Sequence, residues 1–429
     1  MNKLRIFVWL MATCAIIVRL GLVVWAGNAL ETPLTGGSDT LAYQALADSL
    51  VNHRGLSYAG MPTALRPPLY PLFLVLGQLI AGGHYRIFIR LLQFAVGILS
   101  AIVYARISQK LGGSAAIAFA AGLTAPTLIF FSAEILSETL AALIVAAFFY
   151  VVVTASSPIW AGVVIGLGML ERFNLATLAV AYLVYQFCAK KPSLAARHVA
   201  LAGLVAVAIV SPWFMRNLMV FHGHVLYSTH TGTNVLQGLI TPDGRTQSGD
   251  TDKLKAAAGW TISDIETNSL GRTAFPPEPQ LDHMAANAAL AQLGHVNPFA
   301  LTARKLFYFW LSFDQLFRTP DLARDKRLVR LLGILVYWFL LATGIVGWHK
   351  VRLQNPDAAL LFAVYALVVT AMHLPFVMST RIRAPLIEPA LVILGGVAVA
   401  AIAGPPKSGR KVKAGGCQEG YSQFDRGRQ

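Results

Sequence analysis

Ten apolar runs recur along this chain at close to the length of a bilayer crossing, and they decide most of what it can fold into. They fall at roughly 5–26, 88–107, 115–132, 136–155, 159–171, 174–189, 199–215, 332–348, 357–377 and 385–403. Backbone in hydrocarbon must satisfy its own hydrogen bonds, so such runs are read as helices. Only 13% of the residues are charged, about half the share of a soluble domain, and the mean hydropathy is +0.59. The sequence therefore predicts an all-α polytopic membrane protein, a bundle of about 10 (10–12) transmembrane helices. The stretch 159–189 is interrupted by Glu171-Arg172-Phe173-Asn174 and reads as two short helices meeting at a polar turn, with one long broken helix as the alternative.

A net charge of +15 would suit nucleic acid, but many cations sit in short clusters between apolar runs, as the positive-inside rule places them. Lys3 and Arg5 put the N-terminus in the cytoplasm, together with Arg106/Lys110, Lys190/Lys191/Arg197, Lys350/Arg352 and the tail cations Lys407, Arg410, Lys411 and Lys413. Ten spans satisfy all of these at once. The opposite, periplasmic face then receives the loop 27–87, which carries interfacial helices, the turns Ser132–Glu138, Glu171–Asn174 and Ser379–Pro389, and the long segment 216–331. Arg318, Arg324, Lys326, Arg327 and Arg330 run against the rule, so 299–317 reads as an interfacial or re-entrant helix. The units are an N-terminal transmembrane core (1–215), a periplasmic or interfacial segment (216–331), C-terminal transmembrane helices (332–403) and a basic, disordered cytoplasmic tail (404–429). Three cysteines, Cys14, Cys188 and Cys417, have neither metal nor redox spacing. The N-terminal apolar stretch is too long for a signal peptide and reads as a retained helix.

Candidate chemistry gathers in the polar turns of the periplasmic side. Asp39 follows Gly36-Gly37-Ser38 at the start of a helical stretch, where a carboxylate either caps the helix or, partly buried at the mouth of the bundle, serves as a general base. In Arg66-Pro67-Pro68-Leu69-Tyr70-Pro71 the prolines forbid helix and fix an extended lead-in. They hold at the interface a guanidinium suited to a phosphate oxygen or simply snorkelling. Glu134 and Glu138 are four apart, on one face of a helix if it is continuous. Arg172 has a local ion pair with Glu171 as its default. Trp213, Arg216 and Asn217 read as the end of a spanning helix. His230-Thr-Gly-Thr-Asn234 offers small and amide groups for hydroxyls, and Arg381 and Arg383 bring two more cations to the same face. Arginines collected where topology disfavours them suggest an anion, and a lipid-linked phosphate is the natural candidate.

With those residues aligned, the chain resembles the GT-C membrane glycosyltransferases. More narrowly, it is similar to the bacterial protein O-mannosyltransferase and aminoarabinose-transferase-like (glycosyltransferase family 39-like) enzymes. The resemblance rests on four ordered islands from 39 to about 389: Asp39 with Tyr43; Arg66-Pro67-Pro68-Leu69-Tyr70-Pro71 followed by Arg90-Leu91; Pro212-Trp213 with Arg216-Asn217 and Gly223; and Arg381-x-Arg383-x-Pro385. Thr40 stands where many relatives carry a second acid, and Ile382 where they carry the tyrosine of Arg-Tyr-Arg.

The resemblance implies a GT-C-like bundle and an inverting transfer of a sugar from a polyprenyl-phosphate donor to an acceptor hydroxyl of a lipid, glycan or protein. The setting it implies is the periplasmic side of a bacterial inner membrane. Carried over by position, Asp39 is then the catalytic residue and Arg66 the lead ligand of the donor phosphate. The polar turns themselves add Arg216, Arg381 and Arg383 as further candidates for the phosphate, and Tyr43, Tyr70, Glu134, Glu138, Arg172 and Asn234 as candidates for the substrate pocket. The class admits a divalent metal, but no cluster of His and Cys here demands one. Two other readings fit the sequence: a non-catalytic relative that binds polyprenyl phosphate, and a transporter or flippase of lipid-linked sugar.

Overall fold

The computed structural model describes residues 2–29, 38–58, 60–241, 278–312 and 326–402. Gly36 and Gly37, most of the Gly- and Pro-rich stretch 241–280, Arg318, Arg324 and the basic tail with Cys417 lie outside them. The molecule is a helical bundle. Helix α1 (Asn2–Ala26) leads to the short α2 (Ser38–Val51), a two-residue hairpin pairing Ser57 with Pro62, and α3 (Leu69–Ala81). Then come α4 (Tyr85–Lys110), α5 (Ala115–Thr124), α6 (Pro126–Ala133), α7 (Glu138–Tyr150), α8 (Pro158–Glu171), α9 (Thr177–Ala189) and α10 (Pro192–Val220). Three peripheral helices follow, α11 (Thr231–Ile240), α12 (Glu278–Leu293) and α13 (Pro298–Trp310), before α14 (Lys326–Gln354), α15 (Pro356–His373) and α16 (Thr380–Ile402).

Among the described residues seven helical stretches are long and apolar enough to cross a membrane, and eight if the pair α5–α6, bent by 54°, counts as one. The helices α8 and α9 are apolar but shorter; they meet at a polar turn, as the sequence suggests. The protein is thus a multi-pass membrane protein. Helix α16 is the innermost, 89% buried along its apolar window, and packs against α4, α5, α7 and α14. Close contact with α14 depends on Gly347, where a Cβ would stand 1.9 Å from the Leu394 carbonyl oxygen. Helix α13 has 13 residues, about 20 Å at 1.5 Å per residue, too short for a ~30 Å hydrocarbon core. Its Lys305 donates to the Leu374 carbonyl at 2.6 Å, so it lies against the end of α15.

Several local expectations change. The spacing of Glu134 and Glu138 is not a helical face, because α6 stops at Ala133, Glu134 is extended (φ −88°, ψ 145°) and α7 starts at Glu138. A buried amide from α4 holds this break open: Gln93 Nε2 donates to the carbonyls of Glu134 (2.5 Å), Ser132 (3.3 Å) and Phe131 (3.4 Å). Helix α10 does not stop at Pro212 and runs on to Val220, with Trp213, Arg216 and Asn217 in its last turns. Nor does the last span wait for Pro385, since α16 starts at Thr380 and contains Pro385 and Pro389. Prolines inside membrane helices are tolerated where neighbouring groups take up the freed carbonyls. Finally, Leu69–Ala81, within what the sequence offers as loop, is an apolar helix that joins α4 in one helical stretch, Leu69–Lys110.

Candidate active site

The site is built where many helix ends converge. Asp39 lies in the first turn of α2, and Tyr43, one turn on, faces the same way. The two prolines after Arg66 delay α3 until Leu69, and the lead-in brings the Arg66 guanidinium 5.5 Å from the Tyr43 ring centroid and onto Asp39 Oδ1. Tyr43 is itself fixed: its hydroxyl is 3.1 Å from Ser137 Oγ, and its ring meets Tyr70 edge-on at 4.7 Å.

From Asp39 the charges alternate across the bundle. Arg381, in the first turn of α16, donates to Asp39 Oδ2 through Nη1 and to Glu138 Oε1 through Nε at 2.6 Å. Glu138 Oε1 also pairs with Arg172 Nη1 at 3.1 Å. The series Arg66–Asp39–Arg381–Glu138–Arg172 draws on five segments separated by as many as 342 positions, with three cations to two anions. Glu138 is buried; the side chains of Asp39, Arg66 and Arg381 are 22–32% exposed. Burial by itself would raise the Asp39 pKa, but the guanidiniums of Arg66 and Arg381 outweigh it and hold the carboxyl well below the usual carboxylate range. The same pairing keeps Arg66 above its ordinary value despite its burial.

Beside this series opens a cavity of about 180 Å³. Arg66 and Arg172 line it, with Tyr43, Glu171, Asn174, His230, Asn234 and His373, over apolar surface from Phe173, Met372, Phe376 and Ile382. Burial, with Arg66 close by, pushes His230 down to about 4, so its imidazole is neutral at pH 7.

Of the residues singled out in the sequence, Asp39, Arg66, Glu138, Arg172 and Arg381 come together, and Tyr43, Arg172 and Asn234 line the cavity. The others lie apart. The Tyr70 hydroxyl donates to Gln93 Oε1 at 2.6 Å, fully buried behind Tyr43. Glu134 is buried within the break between α6 and α7, where its charge is near Arg90. Arg216 gives its donors to the carbonyls of Leu56 (2.6 Å) and Thr63 (2.8 Å) and to Asn217 Oδ1 (2.9 Å), which ties the end of α10 to the loop that delivers Arg66. Arg383 is fully buried, donates to the carbonyls of Ser312 (2.6 Å) and Phe309 (3.0 Å), and stacks on Tyr337. The expected Glu171–Arg172 pair is replaced by Glu138–Arg172: α8 ends at Glu171, and Arg172 leaves the helix in an extended conformation (φ −150°, ψ 141°). Glu278, unremarked in the sequence, is a further anchor: its Oε2 accepts from Thr229 Oγ1 (2.8 Å) and the Ala64 amide (3.3 Å). Among the described residues no group of three or more His, Cys, Asp or Glu side chains converges to hold a metal ion.

Residues 65–215 match the dolichyl-phosphate-mannose-protein mannosyltransferase family. The oligosaccharyltransferase AglB of Archaeoglobus fulgidus, solved with an inhibitory peptide and a dolichol-phosphate, superposes over 92% of this chain with a TM-score of 0.52 at 14% identity. The protein has the GT-C fold. The chain spans half the length of AglB. ArnT of Cupriavidus metallidurans, solved bound to undecaprenyl phosphate, aligns over 92% of this chain and 78% of its own, with a TM-score of 0.41 at 16% identity. No curated protein matches this GT-C chain by sequence.

Proposed function

We propose that this protein is an inverting glycosyltransferase that moves a sugar from a polyprenyl-phosphate donor to an acceptor hydroxyl at the periplasmic face of a bacterial inner membrane. The observation that carries the reading is the Arg66–Asp39–Arg381 bridge at the edge of a cavity between helix ends. A carboxylate flanked by two guanidiniums supplies what the reaction needs: a proton acceptor and cations for the leaving group. The dolichyl-phosphate-linked donor named by the matched family, and the dolichol-phosphate in AglB, support the donor class.

In this reaction the acceptor oxygen attacks the anomeric carbon on the face opposite the phosphate. A carbon–oxygen bond forms there as the bond to the phosphate oxygen breaks, and the electron pair leaves with the polyprenyl phosphate. The hydroxyl proton passes to Asp39. Arg66 and Arg381 are the phosphate ligands in this scheme, with Arg172 behind them; planar guanidiniums bind phosphate through paired donors. Their dual duty couples the two halves of the chemistry. A guanidinium that turns towards donor phosphate loosens its hold on Asp39, and the carboxylate becomes more basic when the donor is present. Arg216 and Arg383, committed to backbone carbonyls, have a scaffolding role in this scheme.

The test is sugar transfer in membranes supplied with polyprenyl-phosphate sugars. Asp39→Asn should lower the rate by about 10²–10⁴-fold, the usual contribution of a general base, while the protein still folds. Full transfer by that variant would remove Asp39 from the mechanism. Arg66→Ala should raise the donor KM more than it lowers kcat.

A further inference from the structure

The cavity contains a carboxylate that the chemistry above does not use. Glu171 ends α8, is fully buried and lines the cavity. Neither of its oxygens has a hydrogen-bond partner among the described residues, and Arg172 beside it is turned to Glu138. A buried carboxylate without donors is costly, so a side chain so placed at a cavity wall is suited to receive them. Two more wall atoms share this state, Asn174 Oδ1 and His373 Nε2. Nδ1 of His373 lies 2.7 Å from the Val369 carbonyl and must donate to it, which leaves Nε2 of the neutral ring as an acceptor. Three residues with unpartnered acceptor atoms therefore lie in the wall of one cavity, with the ring of Phe376 offering an apolar surface. Arg66 and Arg172 line the same space and disfavour a cationic ligand. The complement is a neutral ligand with several adjacent donors and one apolar face, which describes a sugar ring. At about 180 Å³ the space lies below the roughly 300–1,000 Å³ of drug-sized ligand sites, in keeping with one ring.

We infer that Glu171 is a specificity-determining residue, accepting hydrogen bonds from adjacent hydroxyls of the donor's sugar, with Asn174 and His373 reading the remainder. The inference rests on the transferase reading and adds the residue by which the sugar is chosen. Binding of four lipids to the purified full-length protein tests it: undecaprenyl phosphate and its mannosyl, glucosyl and arabinosyl derivatives. At least one glycosylated lipid should bind about tenfold or more tighter than the bare phosphate. Glu171→Gln should remove that advantage, a loss of about ten- to a hundredfold, and leave affinity for undecaprenyl phosphate within about twofold. Retention of the sugar advantage in Glu171→Gln overturns the inference. So does an equal loss for bare and glycosylated lipid, which would mark Glu171 as structural. A wild type that binds the bare phosphate with no sugar advantage overturns the inference alone, whereas one that binds none of the four overturns the transferase reading as well.

Discussion

Arg381 touches both carboxylates of the site, and a guanidinium can do so because its donors diverge within one plane. A lysine carries its charge on a single nitrogen and serves one partner well. Arg381→Lys is therefore expected to fold and to lose about 10–100-fold in transfer, consistent with one missing charge-assisted contact of about 1.5–3 kcal/mol. Glu138→Gln has the opposite profile: fully buried between two arginines, it should destabilise the protein by about 3 kcal/mol, read as a lower thermal midpoint in detergent. Acidity separates Asp39 from His230. The folded pKa of Asp39 is depressed, so its contribution to stability is present above about pH 4 and falls away only in stronger acid. The kcat/KM profile reports free-enzyme pKa values, so its acid limb should lie below the ordinary carboxylate range. His230, held down to about 4, stays neutral in the fold while the unfolded chain takes up a proton below about 6.5. Stability should thus decline between about pH 6.5 and 4, and His230→Asn should flatten that part of the curve. The residue identities behind these effects were mostly legible in the sequence, since an acid or arginine at the mouth of an apolar bundle is conspicuous. Pairings were not. Arg383 and Arg381 are two positions apart, yet one reaches the site and the other is spent on the carbonyls of Ser312 and Phe309.

At the scale of elements, hydropathy located the helices and misjudged their ends. Apolar runs register burial, and a helix end depends on what takes up its free backbone groups. The break before Glu138 illustrates this: nothing between Ser132 and Glu138 forbids helix, and the partner that stabilises the open form, Gln93, lies some forty positions upstream. Gln93→Leu is expected to leave those carbonyls and the Tyr70 hydroxyl without partners, at about 1–3 kcal/mol for each buried group. It would also let α6 and α7 drift towards one continuous helix, moving Glu138 away from Arg381. Loss of both stability and transfer in this variant, with no charge altered, would show that the break positions the site. Pro385 and Pro389 misled in the other direction, because they lie inside a helix whose neighbours tolerate the interruption.

At the scale of the molecule, convergence of the site constrains the topology more tightly than charge counting can. The helix ends that carry Asp39, Glu138, Arg172 and Arg381 meet one another directly, so they share one end of the bundle. Arg216 near the end of α10 reaches the 56–63 segment and belongs to that end too. Helix α10, 29 residues long and so about 43 Å, exceeds a ~30 Å hydrocarbon core. Its first residues, beside Lys190 and Lys191, must then emerge on the opposite side, where the positive-inside rule expects cytoplasm. Both flanks offer exposed positions, Lys191 before the helix and His222 after it. In a variant with Cys14, Cys188 and Cys417 replaced, His222→Cys should react with a membrane-impermeant thiol reagent in cells whose inner membrane is intact. Lys191→Cys should react only once that membrane is opened. The reverse pattern would turn the site to the cytoplasm, and a periplasmic donor could no longer reach Asp39.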